Sequence, residues 1–146
     1  LLLKRLKIKL QGDLLGLDLG MAKTGVARLH VQAGIAEPLA DILMQEDWIS
    51  QVQEAVRRHE SEVVVVGVPR SMSGKVTEQT KWALARKTEL EQALNVPIFE
   101  IDEAATTKIA EQKVLDGQSV DGVAAGILLE DFLAQVKRGS IDGVSV

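Results

Sequence analysis

Residues 62–68 read Glu-Val-Val-Val-Val-Gly-Val and run into Pro69. Consecutive β-branched residues without polar alternation are the pattern of a strand buried on both faces, which occurs where helices cover both sides of a largely parallel sheet. Pro69 lacks a ladder donor and stops the strand. This one segment asks for an α/β architecture, and its neighbours in sequence must supply the other strands and two layers of helix.

Upstream, residues 14–19 (LLGLDL) form a buried-type strand, residues 25–31 continue after a tight turn, and residues 34–43 (GIAEPLADIL) supply a third strand. Pro38 demotes that third strand to an edge or a bulge. Residues 4–9 alternate weakly. Asp47 suits an N-cap for a helix carrying Trp48, Val52, Ala55 and Val56 at helical spacing and ending near residues 58–60. After a loop containing Ser71, Ser73 and Gly74, a long helix reaches about Leu94, with Val76, Thr80, Ala83, Lys87, Leu90 and Leu94 along one stripe and Trp82 at its margin. Residues 96–101 make the next strand, followed by Asp102-Glu103 and a helix to about Leu115 that Gly117 ends. Ser119 caps a last, mostly apolar helix, and the tail from Gly139 reads as frayed. The expected fold is a mixed five-stranded sheet, three antiparallel strands then two parallel ones, with helices on both faces, in a single domain over 1–146 with an N-terminal extension over 1–12.

Composition narrows the chemistry. No cysteine is present, which excludes a thiolate metal site, and the two histidines, His30 and His59, stand far apart, which argues against a His-rich one, so any metal must be held mainly by oxygen. Neither histidine has an evident partner, and neither is given a role. No apolar run reaches the ~18 residues of a membrane span, and the start lacks a signal-peptide block, so the chain reads as cytoplasmic with no membrane partner. It opens on Leu rather than Met, which suggests trimming. The formal charge of −4 means that nucleic-acid affinity must come from local basic groups and metal ions, not from the global field.

Asp18 interrupts an apolar strand, and a carboxylate there loses hydration unless a cation, a proton or hydrogen-bond donors compensate it. A divalent metal is the expectation. The bland reading is a carboxylate bonded to turn amides near Gly20. A strand ending in Asp-x-Gly with a second glycine soon after also opens actin-like and Hsp70-like ATPases, but those need two such domains. Asp102 and Glu103 end a strand, where acidity also complements the dipole of the following helix; the pleat allows only one of the pair to face Asp18. Asp121 stands in the first turn of the last helix, a routine place for an acid.

Four segments in register resemble the YqgF/RuvX family of candidate pre-16S rRNA nucleases and Holliday junction resolvase-like proteins: LGLDLG with Lys23, Thr24, Gly25 and Val26; VVVVGVP with Met72 and Gly74; DEAATT; and VDGVAAGILLEDFL. The resemblance covers roughly residues 14–135. It implies an RNase H-like fold and a hydrolase whose catalytic and metal-binding acids are Asp18, Glu103 and Asp121, with Asp102 as an additional metal ligand or a holder of the turn. Three carboxylates meeting at one point repel one another unless cations neutralise them, so Mg²⁺ or Mn²⁺ is the implied cofactor. Lys23, Ser71, Ser73, Lys75, Thr106 and Thr107 are the candidate substrate contacts, although the lysines also fit solvated loop positions and the threonines fit helix caps.

Three departures from the family pattern each remove positive charge near the proposed cleft: Ala104 replaces an Arg, Ala22 a Lys, and the basic loop before the last helix shortens to DGQS. Ser71 and Ser73 stand for Asn and Asp, which keeps hydrogen-bonding capacity but loses the amide and the acid. The implied reaction is metal-dependent phosphodiester hydrolysis in structured RNA, as in 5′ processing of pre-16S rRNA. A Holliday junction DNA nuclease and a weakened nucleic-acid or protein-binding relative are the alternatives. A homodimer is left open, because cutting two strands of a junction takes two sites.

Overall fold

The computed structural model describes residues 7–69, 75–102 and 119–146. In chain order the elements are β1 (Ile8–Lys9), β2 (Asp13–Asp18), β3 (Lys23–His30), β4 (Ala36–Leu43), α1 (Trp48–His59), β5 (Val63–Val68), α2 (Glu78–Ala93), β6 (Ile98–Asp102), α3 (Val120–Lys137) and β7 (Val144–Ser145). The main sheet has the order β4-β3-β2-β5-β6. β2, β3 and β4 pair antiparallel, while β5 joins β2, and β6 joins β5, in parallel. The sheet and its connectivity are those expected from the chain. Pro38 sits on the edge strand β4, where a missing ladder donor costs little.

Every residue of β5 is buried, as the valine run requires. Alternation divides its side chains between two cores. Leu14, Ala27, Leu29, Val63, Val65 and Ile101 pack with α3 residues Ala125, Leu128, Leu129 and Phe132. On the opposite face, Leu15, Leu17, Val26, Val64 and Val66 pack with Trp48 and Val52 of α1 and Ala83 and Leu90 of α2. α3 lies closest to β3 because the contacting residues are small. A Cβ on Gly16 would come within 2.6 Å of Leu129 Cγ and 2.8 Å of the Ala125 carbonyl oxygen. Toward its C-terminal half α3 reaches β6, where Phe132 tilts against Phe99 with ring centroids 5.3 Å apart.

Local chemistry sets the helix ends. Thr77 and Thr80 form a reciprocal capping box at the start of α2, and the Thr80 hydroxyl also donates to the Pro69 carbonyl, tying the helix to the end of β5. Because the helix begins at Glu78, Val76 precedes the cap and is exposed rather than part of the buried stripe. Lys75 likewise lies before the helix and is exposed, not at its first turn. α1 starts at Trp48 behind Asp47, whose side chain makes no cap hydrogen bond.

The tail expected to fray is instead paired. β7 adds in parallel to β1, matching Ile8 with Val144 and Lys9 with Ser145, and Val144 is buried in the α3-side core. Two-residue strands carry too little pattern to be read from sequence; burial of Val144 makes the pairing worthwhile. The expected helix after Asp102, ending at Gly117, lies outside the described residues.

Asp13, at the start of β2, is 6 % exposed and meets the guanidinium of Arg28, with Nη2 at 2.6 Å and Nε at 2.8 Å from Oδ2. The hydrogen bond to Asp13 is the main reason that Arg28 holds its proton more tightly than an ordinary guanidinium. Arg28→Leu would strand that carboxylate in the sheet; we expect a loss of about 2–3 kcal/mol, below the full cost for a wholly buried pair because Arg28 is partly exposed, measured by urea denaturation.

Candidate active site

The site is built at the end of the sheet where β2, β5 and β6 finish. Asp18 closes β2, paired with Gly25 of β3 on one side and Gly67 of β5 on the other, and Gly67 pairs with Ile101 of β6. Asp18 continues the row of Leu14 and Gly16, so it belongs to the face covered by α3. It is only partly buried there, at the rim of the core.

α3 delivers the second acid. The backbone of Asp121 lies so close to Gly25 that a Cβ on that glycine would stand 2.1 Å from the Asp121 carbonyl oxygen and 2.7 Å from its Cβ. Gly25 is the direct cross-strand partner of Asp18, and facing residues in antiparallel strands have Cα atoms about 4.5–5.5 Å apart. A strand residue and a helix residue about a hundred positions apart in the chain are thereby brought to adjoining places on one face.

Ser119 holds the start of α3 as expected, its Oγ accepting from the Gly122 amide at 3.1 Å. The Ser119 hydroxyl donates in turn to the Asp41 carboxylate, whose oxygens lie 2.9 and 3.0 Å away. Lys23 completes the cluster, with Nζ 3.4 Å from Asp41 Oδ2 and 3.6 Å from Asp121 Oδ2. The lysine expected to reach substrate is thus engaged by two carboxylates.

Asp41 is the residue that sequence reasoning missed. In an edge strand a lone Asp reads as solvated, yet this one is only 18 % exposed. A bulge explains the difference: Thr24 pairs with Ile42 and Val26 with Leu39, so two residues of β4 face the single Gly25. Leu39 and Ile42, three positions apart, consequently pack on the same α1/α2 side, and Asp41 is turned toward α3. The alternation signal in the sequence breaks at that point and gives no direction.

Asp102 is placed differently from Asp18. It shares the parity of Ile98, which packs in the α1/α2-side core, and of Glu100, which pairs with Lys87 of α2 at 3.4 Å. Within the strand's alternation it belongs to the sheet face opposite Asp18. Glu103, Ser71, Ser73, Thr106 and Thr107 lie outside the described residues. Among the described residues no group of three or more His, Cys, Asp or Glu forms a metal cage.

Comparison with known proteins follows the same outline. The pattern of the RuvX family, described as Holliday junction resolvase, matches residues 12–135. The chain belongs to the RuvX family. It is 33 % identical over 140 residues to a candidate pre-16S rRNA nuclease of Rickettsia akari, covering 88 % of this chain and 90 % of that protein. A relative of the same name from Caldanaerobacter subterraneus subsp. tengcongensis is 31 % identical over 135 residues, covering 85 % of this chain and 97 % of the relative. Among solved structures, Thermus thermophilus RuvC in complex with a Holliday junction substrate aligns with a TM-score of 0.59 at 15 % identity, over 88 % of this chain and 97 % of RuvC. The fowlpox virus Holliday junction resolvase aligns with a TM-score of 0.53 at 13 % identity, over 84 % of this chain and 98 % of that chain. At such identities the likeness is one of fold, and it places this RuvX member among RNase H-like architectures.

Two substitutions test the construction. Gly25→Ala should cost about 1–3 kcal/mol, because the added methyl meets helix backbone rather than a movable side chain. Ser119→Ala should cost about 1 kcal/mol through the lost cap. Both are read from denaturant midpoints at unchanged m-value.

Proposed function

We propose that this RuvX protein is a divalent-metal-dependent nuclease that hydrolyses phosphodiester bonds in structured RNA, with 5′ processing of pre-16S rRNA as its reaction. The observation that carries the reading is the meeting of Asp18 and Asp121 on one sheet face, across a glycine that leaves no room for any other side chain. The relatives named for pre-16S rRNA, at 31–33 % identity over most of their length, favour RNA as substrate.

Hard oxygen donors and the Lys23 ammonium beside Asp121 mark a place where positive charge is stabilised, which fits Mg²⁺ or Mn²⁺ held by Asp18, Asp121 and Glu103. A bound ion of this kind supplies Lewis acidity that activates water and stabilises the departing 3′ oxygen. The protein's own part is positional. Asp18 sits on an interior strand hydrogen-bonded on both sides, and Asp121 sits on the first turn of a capped helix, so neither carboxylate can drift far from the scissile phosphate. Lys23, at the start of β3, and Lys75, in the segment between β5 and α2, are assigned to the phosphate backbone, while Ala22 and Ala104 leave fewer charges than the family pattern.

A second reading, cleavage of four-way DNA junctions, is favoured by the description of the family itself. Incubation with Mn²⁺ or Mg²⁺ and either a 5′-extended 16S precursor or a four-way junction separates the two. We expect cutting of the RNA, a loss of at least about 100-fold in Asp18→Asn and in Asp121→Asn, since even outer-shell changes at metal sites cost 10–100-fold, and complete loss on chelation. Activity that survives Asp18→Asn would remove the proposal. Binding of RNA without cleavage would make the protein a binding module. The slope of log affinity against log salt should be shallow, reflecting few phosphate contacts.

A further inference from the structure

The lysine beside Asp121 has a second carboxylate to hold it, and neither motif nor family pattern draws attention to that group. Asp41 lies on the bulge of β4, with most of its side chain covered, and it makes two connections. One goes through the Ser119 hydroxyl to the Gly122 amide, and so to the first turn of α3. The other goes through Lys23 Nζ, which stands between Asp41 at 3.4 Å and Asp121 at 3.6 Å. Lys23 is half exposed and its stem is flexible, so it can shift between these two partners without leaving the site.

We propose that Asp41 is a positioning residue for the metal-binding acid: it shares Lys23 with Asp121 and receives that lysine when a divalent ion takes its place. The inference rests on Asp121 being a metal ligand. Physically, an ion arriving at Asp121 meets an ammonium already there, and two cations at one carboxylate repel. The lysine must therefore give way. Asp41 offers it a charged destination within the same cluster, which lowers the cost of the exchange and leaves the ammonium beside the site, where a substrate phosphate would arrive. Without the charge on Asp41, Lys23 would lean on Asp121 alone and resist displacement.

The signature of this arrangement is opposite effects from the two partners of one ion pair. Calorimetric titration of the full chain with Mn²⁺ alone reads it without reference to activity. Lys23→Met should tighten Mn²⁺ binding about two- to fivefold, the reach of a partly exposed ion pair. Asp41→Asn, which keeps an oxygen to accept from Ser119, should weaken it by a similar factor. In the Lys23→Met background Asp41→Asn should then change Mn²⁺ affinity by little, because the lysine through which it acts is gone. A general electrostatic contribution of Asp41 would instead weaken binding equally in both backgrounds, and that result, or an unchanged affinity in Asp41→Asn alone, would overturn the proposal. Thermal melting of each variant without metal shows whether it is folded, and Ser119→Ala, which lowers stability through the cap, should move the melting temperature without reproducing the opposed pair of affinities. If Asp121→Asn binds Mn²⁺ as tightly as the unaltered chain, the metal-site reading fails and this inference with it; an additive Lys23 and Asp41 cycle sinks the inference alone.

Discussion

The close approach of α3 to β3 is the constraint on which the site depends. Backbone can lie against backbone only where side chains are absent or minimal, and the seam is made accordingly: Gly16, Gly25 and Ala27 on the sheet, Gly122, Ala125 and Gly126 on the helix, with Ala36 at the edge. At Gly25 the clearance vanishes, and the first turn of α3 rests on the strand itself. Interiors are packed to crystal-like density, so an added methyl there is not absorbed and the helix must move. Any such movement would carry Asp121 away from Asp18, since Asp121 rides on the first turn of the helix and Asp18 on the sheet. Packing, which is non-directional in general, becomes a positioning device when the contact is between main chains.

Electrostatics adds the second layer. Two carboxylates on adjoining positions, with a third on β4, would repel if left to themselves. Lys23 answers part of that repulsion, and it does so from the first position of β3, just after the turn that follows Asp18. The same turn therefore delivers an acid and the cation that tempers its neighbour. A chain with formal charge −4 has no general attraction for a polyanion, so affinity for nucleic acid has to be generated locally, at places where cations gather among acids.

How far the chain could be read in advance follows from the kind of signal each element carries. The valine run of β5, the broken apolar strand ending at Asp18 and the Ser119 cap are local patterns, and each was legible because burial, desolvation and amide satisfaction act within a few residues. The mixed character of the sheet, three antiparallel strands then two parallel ones, came from connectivity rules that hold regardless of side-chain detail. Three things were not legible. The β1–β7 pairing joins two-residue strands from opposite ends of the chain, too short to show alternation. The role of Asp41 depends on a bulge that changes which way it points, and nothing in Leu-Ala-Asp-Ile marks the slip. Val76 fitted a helical stripe that the capping box at Thr77 cut off before reaching it.

By itself the sequence determined the architecture, the RuvX membership and the acids to suspect, because periodicity, turn residues and motif spacing are written along the chain. Which acids meet was decided only in three dimensions. Asp18 and Asp121 adjoin because a glycine admits a helix, Asp102 falls on the opposite face because of strand parity, and Asp41 joins the cluster because a bulge turns it inward. Each of these outcomes depends on a contact between segments far apart in sequence, and such contacts are set by volume and register rather than by residue type.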